Sequence, residues 1–186
     1  MTSTVEQRFS FCPKCGGHLH YEEHASQHRL TCQNCRYILY ENPVVGVAVI
    51  VLDQKGRILL GRRRGGTYPG LWCIPCGYLE YGEDVYAGAR REFKEETNLD
   101  IDIIRVFTVQ SNFHNPDKHS VGIWFLSQVT GGELQAGDDL DRAEFFSLDE
   151  IPSLAFPTDR TVIGLLVGEV AQRNVIPAPL ILDDNS

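Results

Sequence analysis

The stretch that decides the fold is GYLEYGEDVYAGARREFKEETNL, from Gly77 to Leu99. A glutamate, Glu83, follows the leading glycine after six positions, and two charged pairs, Arg91-Glu92 and Glu95-Glu96, stand close together near the end. Charged residues and a glycine at these offsets predict a loop, a helix and a second loop. The arrangement is typical of a site that holds divalent cations against phosphate groups.

The central part of this stretch is predicted to form a helix over 85–97. Asp84 is the expected N-cap because its carboxylate can accept a free backbone N–H of the first turn. Ala89 and Phe93 are expected to anchor the helix on a sheet. Asn98 follows the helix, at a position that often needs a left-handed backbone, and asparagine adopts that conformation more readily than most residues.

Three carboxylates are predicted to share one helix face. Glu92, Glu95 and Glu96 fall within roughly 100° of one another at 100° per residue. Their mutual repulsion is unfavourable unless a cation is bound, and carboxylate oxygens suit Mg²⁺ or Mn²⁺. Taken alone, the hexamer REFKEE also fits an ordinary solvated helix face. The added glycine and glutamate upstream favour the cation site, with Arg91 pairing with Glu95 or Glu83.

This stretch resembles the Nudix box, G-x5-E-x7-R-E-U-x-E-E-x-G-U, where U is apolar, and Asn98 replaces its second glycine. GLWCIPCGYLE, from Gly70 to Glu80, is similar to the usual lead-in of the family, and the resemblance spans about 43–166. The resemblance implies an α+β fold, the Nudix α/β/α sandwich with a mixed sheet. The strands it predicts include VVGVAVIVL, whose β-branched apolar residues indicate a central strand.

The resemblance also implies roles for individual residues. Glu92, Glu95 and Glu96 would bind metal or activate water, and Gly77 would offer its carbonyl to a metal. Arg91 would orient a catalytic glutamate, and Glu83 would support this network or bind a further metal through water. Glu92 is the first choice for general base, and Asp139 is the second.

Asp139 comes from an acidic loop, AGDDLDRAEFFSLDEIP, in which Asp138 and Asp141 are the other candidates. The family often places an acidic residue in a loop before a late strand, and Asp139 aligns best by its distance from Phe145. An acidic turn that is merely solvated is the alternative.

A second motif lies near the N-terminus, where Cys12, Cys15, Cys32 and Cys35 form C-x2-C-x16-C-x2-C. This spacing predicts a tetrahedral four-thiolate structural Zn²⁺ site, a zinc ribbon with a short hairpin between the two pairs. The segment is too small to bury a core of its own. Free or disulfide-bonded cysteines are the alternative. Cys73 and Cys76 are expected to be core cysteines on opposite faces of one strand, because side chains alternate along a strand.

A zinc ribbon ahead of a Nudix domain resembles a subgroup that cleaves dinucleotide pyrophosphates. The NADH-cleaving branch usually carries Ser-Gln-Pro-Trp-Pro-Phe-Pro after the box, and TVQSNFHNPDKHS lacks it here. The FAD pyrophosphatase branch is more similar, through its GLWxxPxGYLExGE and SLDEIPSLAF-like segments. The expected reaction is hydrolysis of FAD to FMN and AMP, or of ADP-ribose to AMP and ribose 5-phosphate. NADH pyrophosphatase activity and a non-catalytic nucleotide-sensing regulator are the alternatives.

Substrate contacts are expected from arginines and aromatic residues. Arg62 and Arg63 follow a strand and are candidates for phosphate binding, with solvated arginines as the alternative. Tyr78 and Phe113 are the candidates to stack on a flat ring, together with Tyr68 and Tyr81, although ordinary packing is the commoner explanation for any one of them.

Composition narrows the class of protein. The 186 residues carry a net charge of −8 and 42% hydrophobic residues, which fit one medium domain with a small appendage. The acidic balance argues against binding to nucleic acid or anionic membrane. Without an apolar signal region, a cytoplasmic location is expected. The predicted domains are a zinc ribbon over 8–40, a Nudix domain over 41–170 and a C-terminal arm over 171–186, and the resemblance favours a homodimer.

Overall fold

The structure, a computed structural model, describes residues 8–24 and 26–173. It divides into two compact units, with the boundary between Asn42 and Pro43. The final helix continues to Arg173, and the rest of the predicted C-terminal arm lies outside the described residues. The exact domain limits given above stay a prediction. No helix in the described ranges is long and apolar enough to cross a membrane.

The first unit is a small antiparallel sheet of three strands, in the order β1-β2-β3. The strands are β1 (Leu19–His24), β2 (Gln27–Cys32) and β3 (Ile38–Leu39). The first two form the hairpin predicted between the cysteine pairs. Among its described residues, the buried hydrophobic cluster consists of Cys12, Leu19, Leu30 and Cys32. So small a core needs another source of stability, and the cysteines lie where a metal would supply it.

Up to Arg173, the second unit contains two sheets and two long helices. Its elements are β4 (Val44–Val51), β5 (Ile58–Arg63), β6 (Trp72–Cys73), β7 (Cys76–Tyr78), α1 (Val85–Thr97), β8 (Leu99–Asn112), β9 (Ser120–Gly132), β10 (Leu140–Phe146) and α2 (Pro157–Arg173). One sheet has the order β7-β4-β9-β8, and the other has the order β10-β5-β6. The pairing of β4 with β9 is parallel and the other pairings are antiparallel, so the larger sheet is mixed, as expected.

Strand β4 explains the layered architecture. Val47, Val49 and Val51 pack in one buried cluster with Ala89 and Phe93 of α1. The alternate residues of β4, Ala48 and Ile50, pack in a second cluster with Val162, Ile163 and Leu166 of α2. A central strand covered on both faces needs apolar side chains at successive positions, which accounts for the uninterrupted run VAVIV. The predicted α/β/α sandwich is therefore confirmed.

Helix α1 begins and ends where the sequence indicates. The Asp84 carboxylate accepts hydrogen bonds from the backbone N–H groups of Tyr86 and Ala87, at 3.0 and 3.1 Å. Asn98 ends the helix with φ 59°, and its backbone N–H donates to the Lys94 carbonyl. These caps fix the helix register and therefore the direction in which its carboxylates point.

Candidate active site

The carboxylates of α1 face the backbone of β7. Glu92 packs so closely on Gly77 that a methyl group there would overlap its carboxylate. The backbone N–H of Cys76 donates to Glu96 Oε2 at 2.7 Å. The glycine therefore leaves space for a carboxylate beside the main chain. This brings together three of the predicted metal-binding residues, Gly77, Glu92 and Glu96. The side chain of Glu95 is 49% exposed and is linked to Glu92 through Arg91.

Arg91 organises these carboxylates. Its guanidinium donates to both carboxylate oxygens of Glu83, at 2.7 and 2.8 Å, and to Glu92 and Glu95, at 2.9 and 3.1 Å. It also donates to the Tyr78 carbonyl at 3.3 Å. Arg91 therefore contacts both of its predicted partners, Glu83 and Glu95, at the same time. Hydrogen bonds from Arg91 lower the pKa of Glu83 to about 2, so this carboxylate stays charged at neutral pH.

Burial has the opposite effect on the two glutamates that approach β7. Glu96 is 1% exposed. Its pKa is raised well above the ordinary value, first by burial and then by the nearby Cys73 and Asp139. The pKa of Glu92 is also raised, mainly by burial, although Arg91 opposes the shift. Two carboxylates held out of water favour their charged form only if positive charge is supplied, which a divalent oxygen-binding cation would do.

The acidic loop before β10 is tied to the end of α1 by backbone hydrogen bonds. Gly137 N–H donates to the Glu96 carbonyl, and Gln135 N–H donates to the Thr97 carbonyl, both at 3.0 Å. Asp139 Oδ2 lies 3.0 Å from an Nη of Arg63. Its Oδ1 is buried with no hydrogen-bond partner among the described residues. Asp139 therefore reaches the glutamate cluster with one oxygen unused.

The other two acidic candidates differ in position. Asp138 lines the same cavity as Asp139, whereas Asp141 forms a two-point ion pair with Arg62, at 2.8 and 2.9 Å. Arg62 does not line the cavity, because successive residues of a strand point to opposite sides. The geometry therefore supports Arg63 as a substrate contact and gives no support to Arg62.

A cavity of 790 Å³ opens beside the carboxylates. Arg63, Tyr68 and Tyr78 line it, as a substrate-binding role requires. Phe113 does not, because it is 68% exposed and packs edge-to-face on His119. Tyr81 is fully exposed and also lies outside the lining.

Cationic and aromatic side chains are paired around the cavity. The guanidinium of Arg63 lies 5.3 Å from the ring centroid of Phe156, and the Lys118 ammonium lies 3.9 Å from that of Tyr78. The His114 ring is tilted against Phe156 at 5.6 Å. Sequence reasoning missed Phe156, Lys118 and His114, because they come from two loops whose convergence no local pattern shows.

Small residues form one side of this cavity. Gly46 and Ala48 of β4 pair with Gly122 and Trp124 of β9, and all four line the cavity. A methyl group at Gly122 would collide with the six-membered ring of Trp124. Gly122 is buried under this ring, so its lack of a side chain makes room for Trp124.

Asp159 is a further cavity residue that sequence reasoning missed. It lies in the first turn of α2, is 2% exposed, and accepts the Ile74 N–H on Oδ2 at 3.0 Å. Burial raises its pKa to about 7, opposed by the Ile74 N–H and by the Trp124 side chain. The Trp124 indole N–H lies close enough to Asp159 to favour its charged form. It does not satisfy the distance and angle of a hydrogen bond among the described residues. An aspartate in a first helical turn usually caps the helix, so the sequence gives no special signal.

The expectation for Cys73 and Cys76 needs a correction. They are core cysteines, buried and half-buried, but they belong to different strands, β6 and β7, in different sheets. The alternation rule therefore does not apply across the intervening Ile74-Pro75. The Cys73 side chain, together with burial, raises the pKa of Cys76 well above its ordinary value, so the two thiols are neighbours.

The four cysteines of the first unit converge as predicted. Their Sγ atoms all lie within 4.8 Å of one another, with Cys15 to Cys35 at 3.3 Å and Cys12 to Cys35 at 3.8 Å. A tetrahedral Zn²⁺ with bonds of about 2.3 Å would place its sulfurs about 3.8 Å apart. The backbone N–H groups of Cys35 and Asn34 help to lower the pKa of Cys32 to about 6. The Gly17 N–H lowers the pKa of Cys15, but the sulfur atoms of Cys35 and Cys32 outweigh it and raise this pKa to about 12. Four thiolates in this space need a cation, so the residues fit structural zinc.

A mixed sheet between helices, with carboxylates, an arginine and a glycine gathered beside a cavity of nucleotide size, defines a cation-dependent diphosphate hydrolase. The chain belongs to the Nudix family, and it is a Nudix hydrolase of the pyrophosphatase type. The NUDIX domain family matches residues 42–166, and the family described as RNA polymerases M/15 Kd subunit, a zinc ribbon, matches residues 9–41.

Individual relatives agree with this assignment. An ADP-ribose pyrophosphatase of Methanocaldococcus jannaschii is 38% identical over 131 residues, which cover 68% of this chain and 75% of that protein. An NAD-capped RNA hydrolase NudC of Vibrio atlanticus is 32% identical over 81% of this chain, which spans only 54% of that protein. A NUDIX hydrolase from Nitrosomonas europaea superposes with a TM-score of 0.77 and 28% identity, covering 92% of this chain and 97% of that one.

Proposed function

We propose that this protein hydrolyses the diphosphate linkage of ADP-ribose, to AMP and ribose 5-phosphate, and of FAD, to FMN and AMP. The observation that carries the proposal is the packing of Glu92 on Gly77, and of Glu96 on the Cys76 N–H, in the wall of a cavity large enough for a nucleotide. The similarity to the archaeal ADP-ribose pyrophosphatase supports ADP-ribose. FAD rests on the resemblance of GLWCIPCGYLE and SLDEIPSLAF to the FAD-cleaving branch.

The residues of the site have separate roles in this proposal. Glu92, Glu95 and Glu96 and the Gly77 carbonyl would hold Mg²⁺ or Mn²⁺, with Glu83 as a further candidate. A divalent cation supplies charge stabilisation to the diphosphate oxygens and lowers the pKa of a bound water. Glu92 is the first candidate for general base, because its carboxylate is half-buried and burial raises its pKa. Arg91 fixes the Glu92 orientation through a hydrogen bond of 2.9 Å.

Asp139 is the second candidate for the base. Its unpartnered Oδ1 leaves one oxygen free to accept a proton, while Arg63 holds the other. Arg63 then has two tasks, since it positions Asp139 and also lines the cavity where a phosphate would lie. Tyr78 and Tyr68 are the candidates to pack on flat parts of the substrate.

The test is a panel of nucleotide diphosphates with Mg²⁺ or Mn²⁺, read by chromatographic identification of the products. We expect AMP from both ADP-ribose and FAD, with no release in the presence of a chelator. If all diphosphates remain intact with either metal, the proposal is wrong. If only other diphosphates are cleaved, the site assignment holds and the substrate assignment fails.

A second candidate substrate is an NAD-type dinucleotide, free or as the cap of an RNA. Its support is the match of NudC proteins over both the ribbon and the Nudix domain, 81% of this chain in one case. The absence of the Trp-Pro-Phe-Pro signature between Thr108 and Ser120 argues against it. NADH and NAD-capped RNA belong in the same panel, and the expected absence of nucleic-acid binding stays a prediction until then.

A purely sensing role is the remaining alternative. The NUDIX domain of Shewanella oneidensis NrtR, solved with ADP-ribose, shares the fold with a TM-score of 0.62 but only 16% identity. The complete carboxylate set of the present chain favours turnover. Tight ADP-ribose binding without product formation would favour sensing.

A homodimer and a cytoplasmic location also stay predictions. Light scattering on the purified protein tests the first, and fractionation of the source cells tests the second.

A further inference from the structure

We propose that Cys73 and Cys76 form a reversible disulfide when a small disulfide compound enters the cavity, and that this bond switches off the site formed by Glu92 and Glu96. The pair is a modification site that the hydrolytic mechanism does not use. Formation of the bond is independent of the proposed function, whereas its effect on turnover rests on that function.

A bend in the chain brings the two thiols together. Cys73 is the last residue of β6 and Cys76 is the first residue of β7, and the chain bends at Pro75 between them. The Cys73 side chain contacts the Cys76 thiol closely enough to change its pKa. The remaining four cysteines of the chain form the zinc cluster of the first unit. Two thiols in contact on a bend are positioned to form a disulfide.

The two thiols differ in their access to the cavity. Cys76 lines the cavity and is half-buried, whereas Cys73 is fully buried. A small molecule in the cavity therefore reaches Cys76 and not Cys73. Arg63, which also lines the cavity, contacts the Cys73 side chain through its guanidinium. A guanidinium beside a sulfur stabilises the negative charge of an attacking thiolate. Cys76 is thus the thiol that meets the small disulfide, and Cys73 is the thiol that completes the reaction.

The reaction is a thiol–disulfide exchange in two steps. The Cys76 thiolate attacks one sulfur of the small disulfide, a mixed disulfide forms, and one small thiolate leaves. The Cys73 thiolate then attacks the Cys76 sulfur and expels the second small thiolate. The two protons lost by the protein thiols pass to the two leaving thiolates. The protein thiols are thereby oxidised to one disulfide, and the small disulfide is reduced to two thiols.

The backbone of Cys76 connects this pair to the carboxylates. Its N–H donates to Glu96 Oε2 at 2.7 Å, and the next residue, Gly77, packs against the Glu92 carboxylate. Disulfide formation draws the two sulfur atoms from contact to about 2 Å. Because Cys73 and Cys76 belong to different sheets, the shift falls on the short segment that joins them. Oxidation therefore displaces the backbone that supports both glutamates.

The first test detects the bond in the zinc-loaded full chain, equilibrated at fixed pH in mixtures of hydroxyethyl disulfide and 2-mercaptoethanol. The raised pKa of Cys76 slows the exchange, so the disulfide is measured at equilibrium. After alkylation of free thiols, trypsin releases residues 65–90, a peptide that contains Cys73, Cys76 and no other cysteine. We expect an internal disulfide whose fraction rises with the ratio of disulfide to thiol and which dithiothreitol reverses. A peptide alkylated at both cysteines at every ratio would overturn the proposal.

Two variants separate the roles of the thiols. Cys73→Ala lacks the thiol that completes the reaction, so its Cys76 should retain the small thiol as a mixed disulfide. Cys76→Ala lacks the accessible thiol, so its buried Cys73 should stay reduced at every ratio. Both variants keep the four zinc cysteines, and metal analysis before and after treatment checks that cluster. A free Cys76 in treated Cys73→Ala, or an oxidised Cys73 in treated Cys76→Ala, would contradict the assigned order of attack.

The second test measures AMP release from ADP-ribose with Mg²⁺, relative to the same protein kept reduced. Oxidised wild type should lose at least about tenfold in kcat/KM, because a small misplacement of a catalytic group is enough for such a loss. Dithiothreitol should restore the rate. Cys76→Ala is the matched control, and the same treatment should leave its relative rate unchanged. Complete disulfide formation in wild type with an unchanged kcat/KM would overturn the switch.

The two proposals fail in different ways. If the 65–90 peptide carries the reversible disulfide but the reduced protein cleaves no diphosphate, the hydrolase proposal fails and the disulfide stands. If the reduced protein cleaves ADP-ribose to AMP but the peptide never carries a disulfide, the thiol pair fails and the hydrolase proposal stands.

Discussion

Replacing Asp159 by asparagine is expected to stabilise the protein at pH 8 and to leave its stability at pH 4 nearly unchanged. The carboxyl is 2% exposed, and its pKa is raised from the ordinary 3.8 to about 7. The folded state therefore holds a proton that the unfolded chain releases at lower pH. Stability must fall as pH rises from about 4 to about 7, because the unfolded state binds fewer protons over that interval.

The size of this effect follows from the same two pKa values. At about 1.4 kcal/mol for each pH unit, the interval between 3.8 and about 7 corresponds to about 4 kcal/mol of lost unfolding free energy. The asparagine carbonyl can still accept the Ile74 N–H, and the amide never ionises. The stability difference between Asp159→Asn and wild type should therefore change by up to about 4 kcal/mol between pH 4 and pH 8 in favour of the variant.

Urea unfolding followed by tryptophan fluorescence measures this difference. Both tryptophans, Trp72 and Trp124, lie in the second unit, so the signal reports that unit. Asp100→Asn is the control, since Asp100 is exposed and paired with Lys94. A difference between Asp159→Asn and wild type that stays constant from pH 4 to pH 8 would refute the reasoning, because it would mean that Asp159 ionises normally in the folded protein.

Three further predictions concern the site, the zinc cluster and the substrate. Gly77→Ala should lower turnover by at least about a hundredfold, since its methyl displaces the Glu92 carboxylate, whereas Gly65→Ala, with open space around it, should retain wild-type rates. Cys12→Ser should lose the zinc found by metal analysis and loosen the first unit in hydrogen exchange, while the second unit stays folded. Comparison of kcat/KM should rank ADP-ribose and FAD above NADH, and a tenfold preference for NADH, about 1.4 kcal/mol, would contradict the branch assignment.

Local sequence patterns are sufficient to predict helix α1. The Asp84 cap, the span 85–97 and the left-handed Asn98 all depend on contacts within a few residues, and the structure confirms each of them. The four-cysteine cluster can be predicted in the same way, because its sequence spacing already indicates a shared metal site. Its members are Cys12, Cys15, Cys32 and Cys35.

The residues that could not be predicted owe their positions to tertiary packing. Asp159 enters the cavity because α2 packs on the opposite face of β4 from α1, and its neighbour Ile74 is 85 residues earlier in the chain. The spacing of Cys73 and Cys76 predicts a single strand, because it does not reveal that the chain changes sheets between them. Arg62 and Arg63 are adjacent and chemically alike, so only the strand register shows which one faces the cavity.

The central claim is that the carboxylates of α1 hold the cation that makes diphosphate hydrolysis possible. Its most direct test is the rate of AMP release from ADP-ribose against Mg²⁺ concentration for wild type and Glu96→Gln, with Glu144→Gln as an exposed-acid control. We expect the control to follow wild type, and Glu96→Gln to lose activity by orders of magnitude while remaining folded. Wild-type AMP release by Glu96→Gln at low Mg²⁺ would contradict the account.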